Sequence, residues 1–236
     1  MEPFSSRFRP IAYSRRFHFP NSISDAGSDY SAAGHAADLA ALIHSVGPGP
    51  AHVVASSFGA YAALILAVRQ PGLVRTLVIG EPPLLPWLAD IPGGRERLDL
   101  FLRDAWEPAR SAFEAGNREE GVRYFLDGVL GPGSYEKFPL SAKAGLIANA
   151  AEIMAETTSE GFFSPLSQDE VRRIEKPVLL LNAERSPRMF HLITDELARC
   201  LPRAARKEIS AASHSMHLDN PRLFNDTVLA FFEEHS

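Results

Sequence analysis

The sequence predicts an α/β protein: a mostly parallel sheet flanked by helices, with an inserted helical lid. Three observations predict it. Apolar runs of strand length, AHVVA at 51–55, LVRTLVIG at 73–80 and PVLLLN at 177–182, alternate with helix-spaced segments. That alternation is how parallel strands joined by crossover helices read in a sequence. Residues 84–169 change character, becoming helical, charged and broken by Gly and Pro without a convincing strand. The 236 residues, 45% hydrophobic and 22% charged, suit one soluble domain with a sizeable core. The expected division is therefore a core of residues 1–83 and 170–236 and a lid of residues 84–169.

The elements follow in order. RPIAYS at 9–14 reads as a short strand, followed by a turn-rich stretch with Pro20, Asn21, Ser22 and Gly27. Leu39, Leu42, Ile43 and Val46 recur at i, i+3, i+4 and i+7, which predicts an amphipathic helix closed by GPGP at 47–50. AHVVA then leads through two serines into an alanine-rich helix from Gly59 to Val68. LVRTLVIG is a buried-type strand stopped by Pro82 and Pro83. Beyond the insertion, PVLLLN is a strand, and Phe190, Ile193, Leu197 and Cys200 mark the buried stripe of the next helix. ARKEIS is a short strand and PRLFNDTVLAFFEE the last helix.

Composition excludes several classes of function. A formal net charge of -5 and no basic run argue against nucleic acid as a partner. No apolar segment approaches the ~20 residues of a membrane span. MEPFSSRFRP lacks the apolar centre of a signal peptide, and the single Cys200 suits a reducing compartment. A cytoplasmic protein is expected. No His, Cys and Asp cluster has metal-ligand spacing and no Gly-rich phosphate loop occurs, so neither a metal nor a cofactor is expected.

In parallel sheets the chemistry sits at the carboxyl ends of the strands. Ser57, Glu81 and the Ser213–His214 region fall at such ends. A sharp strand-to-helix turn favours small residues two positions either side of the turning residue. Ser57 has Ala55 and Gly59 there, whereas Ser56 would have Val54 and Phe58. A serine nucleophile needs a base. His214, in the small-residue loop ISAASHSMH, is the candidate, with His217 supporting or structural. His35, His44, His52 and His235 read as solvated, His18 as a loop histidine, and His191 as lying beside an apolar stripe. Glu81, ending an apolar strand in VIGEPP, needs a buried partner.

The elbow ASSFG, the inserted helical region and the late ASHSMH, in this order, resemble the α/β-hydrolase fold family over nearly the whole chain. The resemblance is to its serine esterases and lactonases. It implies Ser57 as nucleophile, His214 as base and then acid, a carboxylate that orients His214, and the Phe58 N–H as an oxyanion donor. The family usually carries that carboxylate after the strand matching PVLLLN. Here the segment reads Ala183-Glu184-Arg185-Ser186, with serine at the expected position. A variant seen in some haloalkane dehalogenases places the acid one strand earlier, which is Glu81 here; Glu184 is the alternative.

The family's second oxyanion donor comes from a loop often marked by His-Gly, and no such dipeptide occurs. RFRPIAYS resembles the strand that follows this loop, so the usual N-terminal strands and the loop are expected to be missing. Either the chain is truncated, or the remaining strands close the gap and Arg15 or Arg16 approaches the nucleophile; the other reading of both is a solvated basic pair. The implied function is hydrolysis of small apolar carboxylic esters or lactones through an acyl-enzyme on Ser57. Apolar lid residues such as Trp87, Phe101 and Phe113 point to an apolar group, although most must serve packing. Carbon–carbon bond hydrolysis and cofactor-free haloperoxidase chemistry remain open. The competing class is a non-catalytic scaffold that binds a ligand or partner. A homodimer is a further expectation, since an open sheet edge invites strand pairing.

Overall fold

The computed structural model describes residues 2–21, 30–159 and 163–236. Ser22 and Gly27 of the expected turn lie outside the described residues. Strands β1 (Ala51–Ser56), β2 (Val74–Gly80), β3 (Val178–Ala183) and β4 (Ala205–Ile209) form one parallel sheet in chain order. Val53 stands beside Leu77, Leu77 beside Val178, and Ala183 beside Ile209.

The central strands are continuous apolar runs because both faces of the sheet are covered. Side chains alternate between the faces. Leu77, Ile79, Val178 and Leu180 join the larger core with helices α1 (Ala32–Val46) and α2 (Phe58–Arg69). Val78, Leu179, Leu181 and Ala183 join a second core on the other face, closed by Phe224, Val228, Phe231 and Phe232 of the last helix. The terminal segment adds to it: Phe8 packs edge-on against Phe232, with centroids 5.5 Å apart.

Between β2 and β3 the described residues are helical and form no strand. The helices are α3 (Gly94–Phe101), α4 (Glu107–Glu114), α5 (Arg118–Leu130), α6 (Leu140–Ala148), α7 (Ala150–Thr158) and α8 (Gln168–Arg172), with a π-turn over Leu102–Trp106. A small core of Ala109, Phe113, Val122, Tyr135 and Ala150 holds the outer part together. Its root is continuous with the main core, because Leu84, Leu88, Phe101 and Trp106 pack there. The returning segment is fastened too, with Trp87 Nε1 donating to the Leu166 carbonyl at 2.8 Å. After β3 come α9 (Arg188–Cys200), α10 (Met216–Asp219) and α11 (Pro221–Glu234).

Two sequence expectations need correction. RPIAYS is not a strand: β1 pairs with β2 alone, and residues 9–14 join no ladder. Extended backbone without a neighbour cannot form a sheet, whatever its side chains favour. Ile11 and Tyr13 are accordingly exposed. On α1, Ile43 of the expected stripe is buried and Leu39 packs against the core, but the fully buried face also takes in Ala32, His35, Ala36 and Ala40, so His35 is not solvated.

Candidate active site

Ser57 stands between β1 and α2 with no residue left over for a loop. Its N–H donates to the Gly80 carbonyl on β2 at 2.8 Å, so it still belongs to the sheet. Its own carbonyl accepts from the Ala60 and Tyr61 N–H groups at 2.9 and 3.2 Å, so it already belongs to the helix. Serving both roles forces φ 52 and ψ -130 on a residue that carries a Cβ. Such a conformation costs on the order of 1–3 kcal/mol. Ser57 is half-exposed there, at the end of the strand.

The strain comes from the turn and not from crowding at position 59. A Cβ placed on Gly59 would meet nothing within 4 Å. The small-residue argument thus selected Ser57 for a reason the packing does not impose; the positive φ is the physical mark.

Glu81 directly follows β2 and also has a positive φ, 47. Its carboxylate is completely buried and met from several sides. Oε2 faces His214 Nδ1 at 2.7 Å and accepts from Ser186 Oγ at 2.8 Å. Oε1 accepts from the Ala183 N–H at 2.8 Å and from Asn182 Nδ2 at 3.3 Å. Burial pushes the carboxyl up, but the His214 contact and these hydrogen bonds outweigh it and hold it below the ordinary value. An ionised carboxylate only accepts, so Nδ1 is the nitrogen that donates to Glu81, and Nε2 is the one left open to a partner. That Nε2 is buried and has no hydrogen-bond partner among the described residues. Phe190 of α9 stacks on the ring, centroids 4.1 Å apart at 15°.

The segment after β3, where the resemblance leads one to expect the acid, does other work. Ser186 sits at that position and donates to Glu81. Glu184 binds a different partner: its Oε2 accepts from the Ala211 N–H at 2.6 Å, in the loop that carries His214. The Arg185 N–H donates to the Ala212 carbonyl at 2.9 Å, gripping the same loop. Asp219 closes it from the other side, accepting from the Ser213 N–H at 2.7 Å and the Ser213 hydroxyl at 2.5 Å. His217 is exposed, its ring 6.1 Å from that of Phe224.

His214 and Glu81 are therefore hydrogen-bonded, while the Ser57 hydroxyl forms no bond to His214 among the described residues. Phe58, whose N–H the resemblance names, is buried behind Ser57 at the first turn of α2.

A second polar cluster lies against Phe58, and sequence reasoning missed most of it. The Arg15 guanidinium carbon sits 5.0 Å over the Phe58 ring. Arg15 Nη2 and His18 Nδ1 both pair with Glu152 of α7. The Tyr30 hydroxyl lies 3.3 Å from Glu152 Oε1 and 3.2 Å from Glu156 Oε1. Burial, with the Glu152 charge adding to it, pushes Glu156 up to about 8. Arg16 is held by Asp38 through two bonds of 2.5 Å.

Several histidines are not where solvation would place them. His35 is 1% exposed, edge-on to both Tyr30 and Phe58, and burial followed by the nearby Arg15 charge pushes it down to about 4. His52 is half-buried, with Nδ1 2.7 Å from Thr76 Oγ1, and His235 Nδ1 is 2.8 Å from the Phe231 carbonyl. His18 is hydrogen-bonded through Nδ1 to Glu152 and is not an idle loop residue. A partner 134 positions away leaves no trace in local spacing.

Known proteins resemble the chain throughout. A family model described as "Alpha/beta hydrolase family" matches residues 2–227. A relative from Bacillus subtilis (strain 168), provisionally named a 2-succinyl-6-hydroxy-2,4-cyclohexadiene-1-carboxylate synthase, is 26% identical over 220 residues, 87% of this chain and 74% of its own length. The solved structure of MenH from S. aureus matches with TM-score 0.71 and 18% identity, over 93% of this chain and 81% of that one. Est816, described as an N-acyl homoserine lactone degrading enzyme, matches with TM-score 0.69 and 21% identity, over 92% of this chain and 80% of that one. At such identity the two structures speak for the fold.

Proposed function

The chain belongs to the alpha/beta hydrolase family, and from that premise we propose that it is a serine hydrolase acting on small, largely apolar carboxylic esters or lactones. The observation that carries this reading is a strained, half-exposed Ser57 at the end of β1 together with a buried His214–Glu81 couple at the carboxyl ends of neighbouring strands. An ordinary helix cap has no need of φ 52, and an ordinary buried glutamate has no need of a histidine whose second nitrogen is left open.

In this reading Ser57 Oγ attacks the carbonyl carbon while His214 Nε2 takes its proton. Glu81 holds Nδ1–H and balances the imidazolium that forms. The negative charge on the carbonyl oxygen is met by the Phe58 N–H at the start of α2. His214 then returns the proton to the departing alcohol, leaving the acyl group on Ser57. Water, deprotonated by the same Nε2, releases the acid and restores the hydroxyl. The Ser57–His214 hydrogen bond closes when substrate arrives, as catalytic contacts that are loose in free enzymes often do. Esterase and lactonase chemistry is also what the names of structural neighbours describe, among them a carboxylesterase from Bacillus subtilis and the homoserine lactone degrading Est816.

The unmade Ser57–His214 bond favours a second reading, a binding scaffold without turnover. One experiment separates the two: purified protein is treated with a fluorophosphonate and its intact mass compared with that of Ser57→Ala. A single adduct on the wild type alone supports the hydrolase. A folded wild type that takes no adduct sinks it in favour of the scaffold.

A further inference from the structure

Arg15 is a part-buried charge that the Ser57–His214–Glu81 chemistry does not use, and it lies against the residue next to the nucleophile. Its Nη2 pairs with Glu152 Oε1. Its Nη1 is removed from solvent and has no hydrogen-bond partner among the described residues. A guanidinium has five donors and no acceptor. Leaving a buried, charged N–H unpaired is costly, because its lost hydration is not replaced.

The neighbouring carboxylates do not supply the missing partner. Glu152 is already engaged, Oε1 by Arg15 Nη2 and Tyr30 and Oε2 by His18. Glu156, pushed up to about 8, is chiefly a neutral acid near pH 7 and is met by the Tyr30 hydroxyl. Asp38 is bound by Arg16. A purely structural role accounts for Glu152 and His18, which fasten the segment around residues 15–18 to α7. It leaves Nη1 unexplained.

We infer that Arg15 Nη1 receives an anionic oxygen of the substrate beside Ser57, either a carboxylate that the ester carries or the oxyanion that develops on its carbonyl. Both sources offer the same chemistry, a charged oxygen against a guanidinium in a poorly hydrated place, where such bonds are strong. The placement fits: the N–H of Phe58 is the expected oxyanion donor, and Arg15 lies over the ring of the same residue. Glu152 is then a positioning residue that orients the guanidinium from α7. The inference rests on the hydrolase reading, but part of its test does not.

Wild type, Arg15→Gln and Arg15→Lys would be assayed on p-nitrophenyl butyrate and on the mono-p-nitrophenyl ester of glutaric acid. Each protein is also checked for its melting temperature and for fluorophosphonate labelling. Arg15→Gln is expected to lose about 10²-fold in kcat/KM on at least one ester, with Lys recovering part. Loss confined to the half-ester, mainly in KM, identifies a carboxylate; equal loss on both, mainly in kcat, identifies the oxyanion. A folded Arg15→Gln protein within about threefold of wild type on both esters overturns the inference. If Arg15→Gln does not fold, Arg15→Lys carries the test, since it keeps the charge and loses the fork. Unchanged turnover of both esters by that variant overturns the inference as well. A wild type that neither labels nor turns over would sink the hydrolase reading alone. Calorimetric titration with glutarate then decides: binding that disappears in the Arg15 variant keeps the anion site, and no binding to wild type removes it.

Discussion

Glu81 and Glu156 are both buried carboxyls, at 0% and 8% exposure, yet their acidities move in opposite directions. Burial raises both, since a charge loses its water in either place. The difference lies in what faces the oxygens. Glu81 meets His214 Nδ1, the Ser186 hydroxyl, the Ala183 N–H and the Asn182 amide. Glu156 meets one phenol and, close by, the second carboxylate of Glu152. Donors aimed at the charged form outweigh desolvation in the first case; a like charge adds to desolvation in the second. One site is built to keep an anion at the end of a strand, and the other holds a neutral acid between the N-terminal region and α7.

The largest effect that would break this contrast is removal of the anion. Glu81→Ala is expected to destabilise the protein by about 3–5 kcal/mol, because it strands several buried donors at once. Urea unfolding measures this; a loss below about 1 kcal/mol would mean that the site is wet and its bonds weak.

Next is the opposite pH dependence of the two groups. Glu156 has a raised folded value, so its contribution is complete below the unfolded value of 4.5 and is lost as pH rises through about 8. Glu81 has a lowered folded value, so its contribution is complete above 4.5 and is lost as pH falls through the folded value. Melting temperature followed from pH 4.5 to 9 should therefore decline in wild type and flatten in Glu156→Gln, which would be the more stable by roughly 4–5 kcal/mol at the alkaline end. A variant whose melting curve tracks wild type across that range would place Glu156 in contact with water.

Ser186→Ala sharpens the comparison from the other side by taking one donor from Glu81. A cost of about 1.5–3 kcal/mol is expected, that of a hydrogen bond to a charged group, with acid unfolding moved to higher pH. The smallest effect belongs to Glu184→Gln. Its carboxylate holds the Ala211 N–H and not His214, so ester turnover should stay within about twofold of wild type. A loss of 10²-fold or more would transfer the acid role from Glu81 to Glu184.

Most of the fold was legible because strand and helix leave periodic traces in the residues themselves. The strands at 51–56, 74–80 and 178–183 and the final helix at 221–234 stand where apolar runs and Pro or Gly punctuation put them. RPIAYS failed because a strand is a relation between two segments, and its own residues carry half of it. His35 failed because it extends the inward face of α1 beyond the residues that marked it.

The sequence by itself determined the order of the four paired strands, the helical character of the chain between β2 and β3, and three polar residues at strand ends: Ser57, Glu81 and His214. These follow from local sterics and hydrophobic period, which act over a few residues. Only the tertiary structure decided the rest. It turned Ser57 to a positive φ by tying it to both β2 and α2, brought Glu81 to His214 across 133 positions, and used Ser186 as a donor where an acid was expected. It also gathered Arg15, His18, Tyr30, Glu152 and Glu156 beside Phe58 from segments more than a hundred residues apart. Ionisation and hydrogen bonding depend on what surrounds an atom in space, and that is settled when the chain closes on itself.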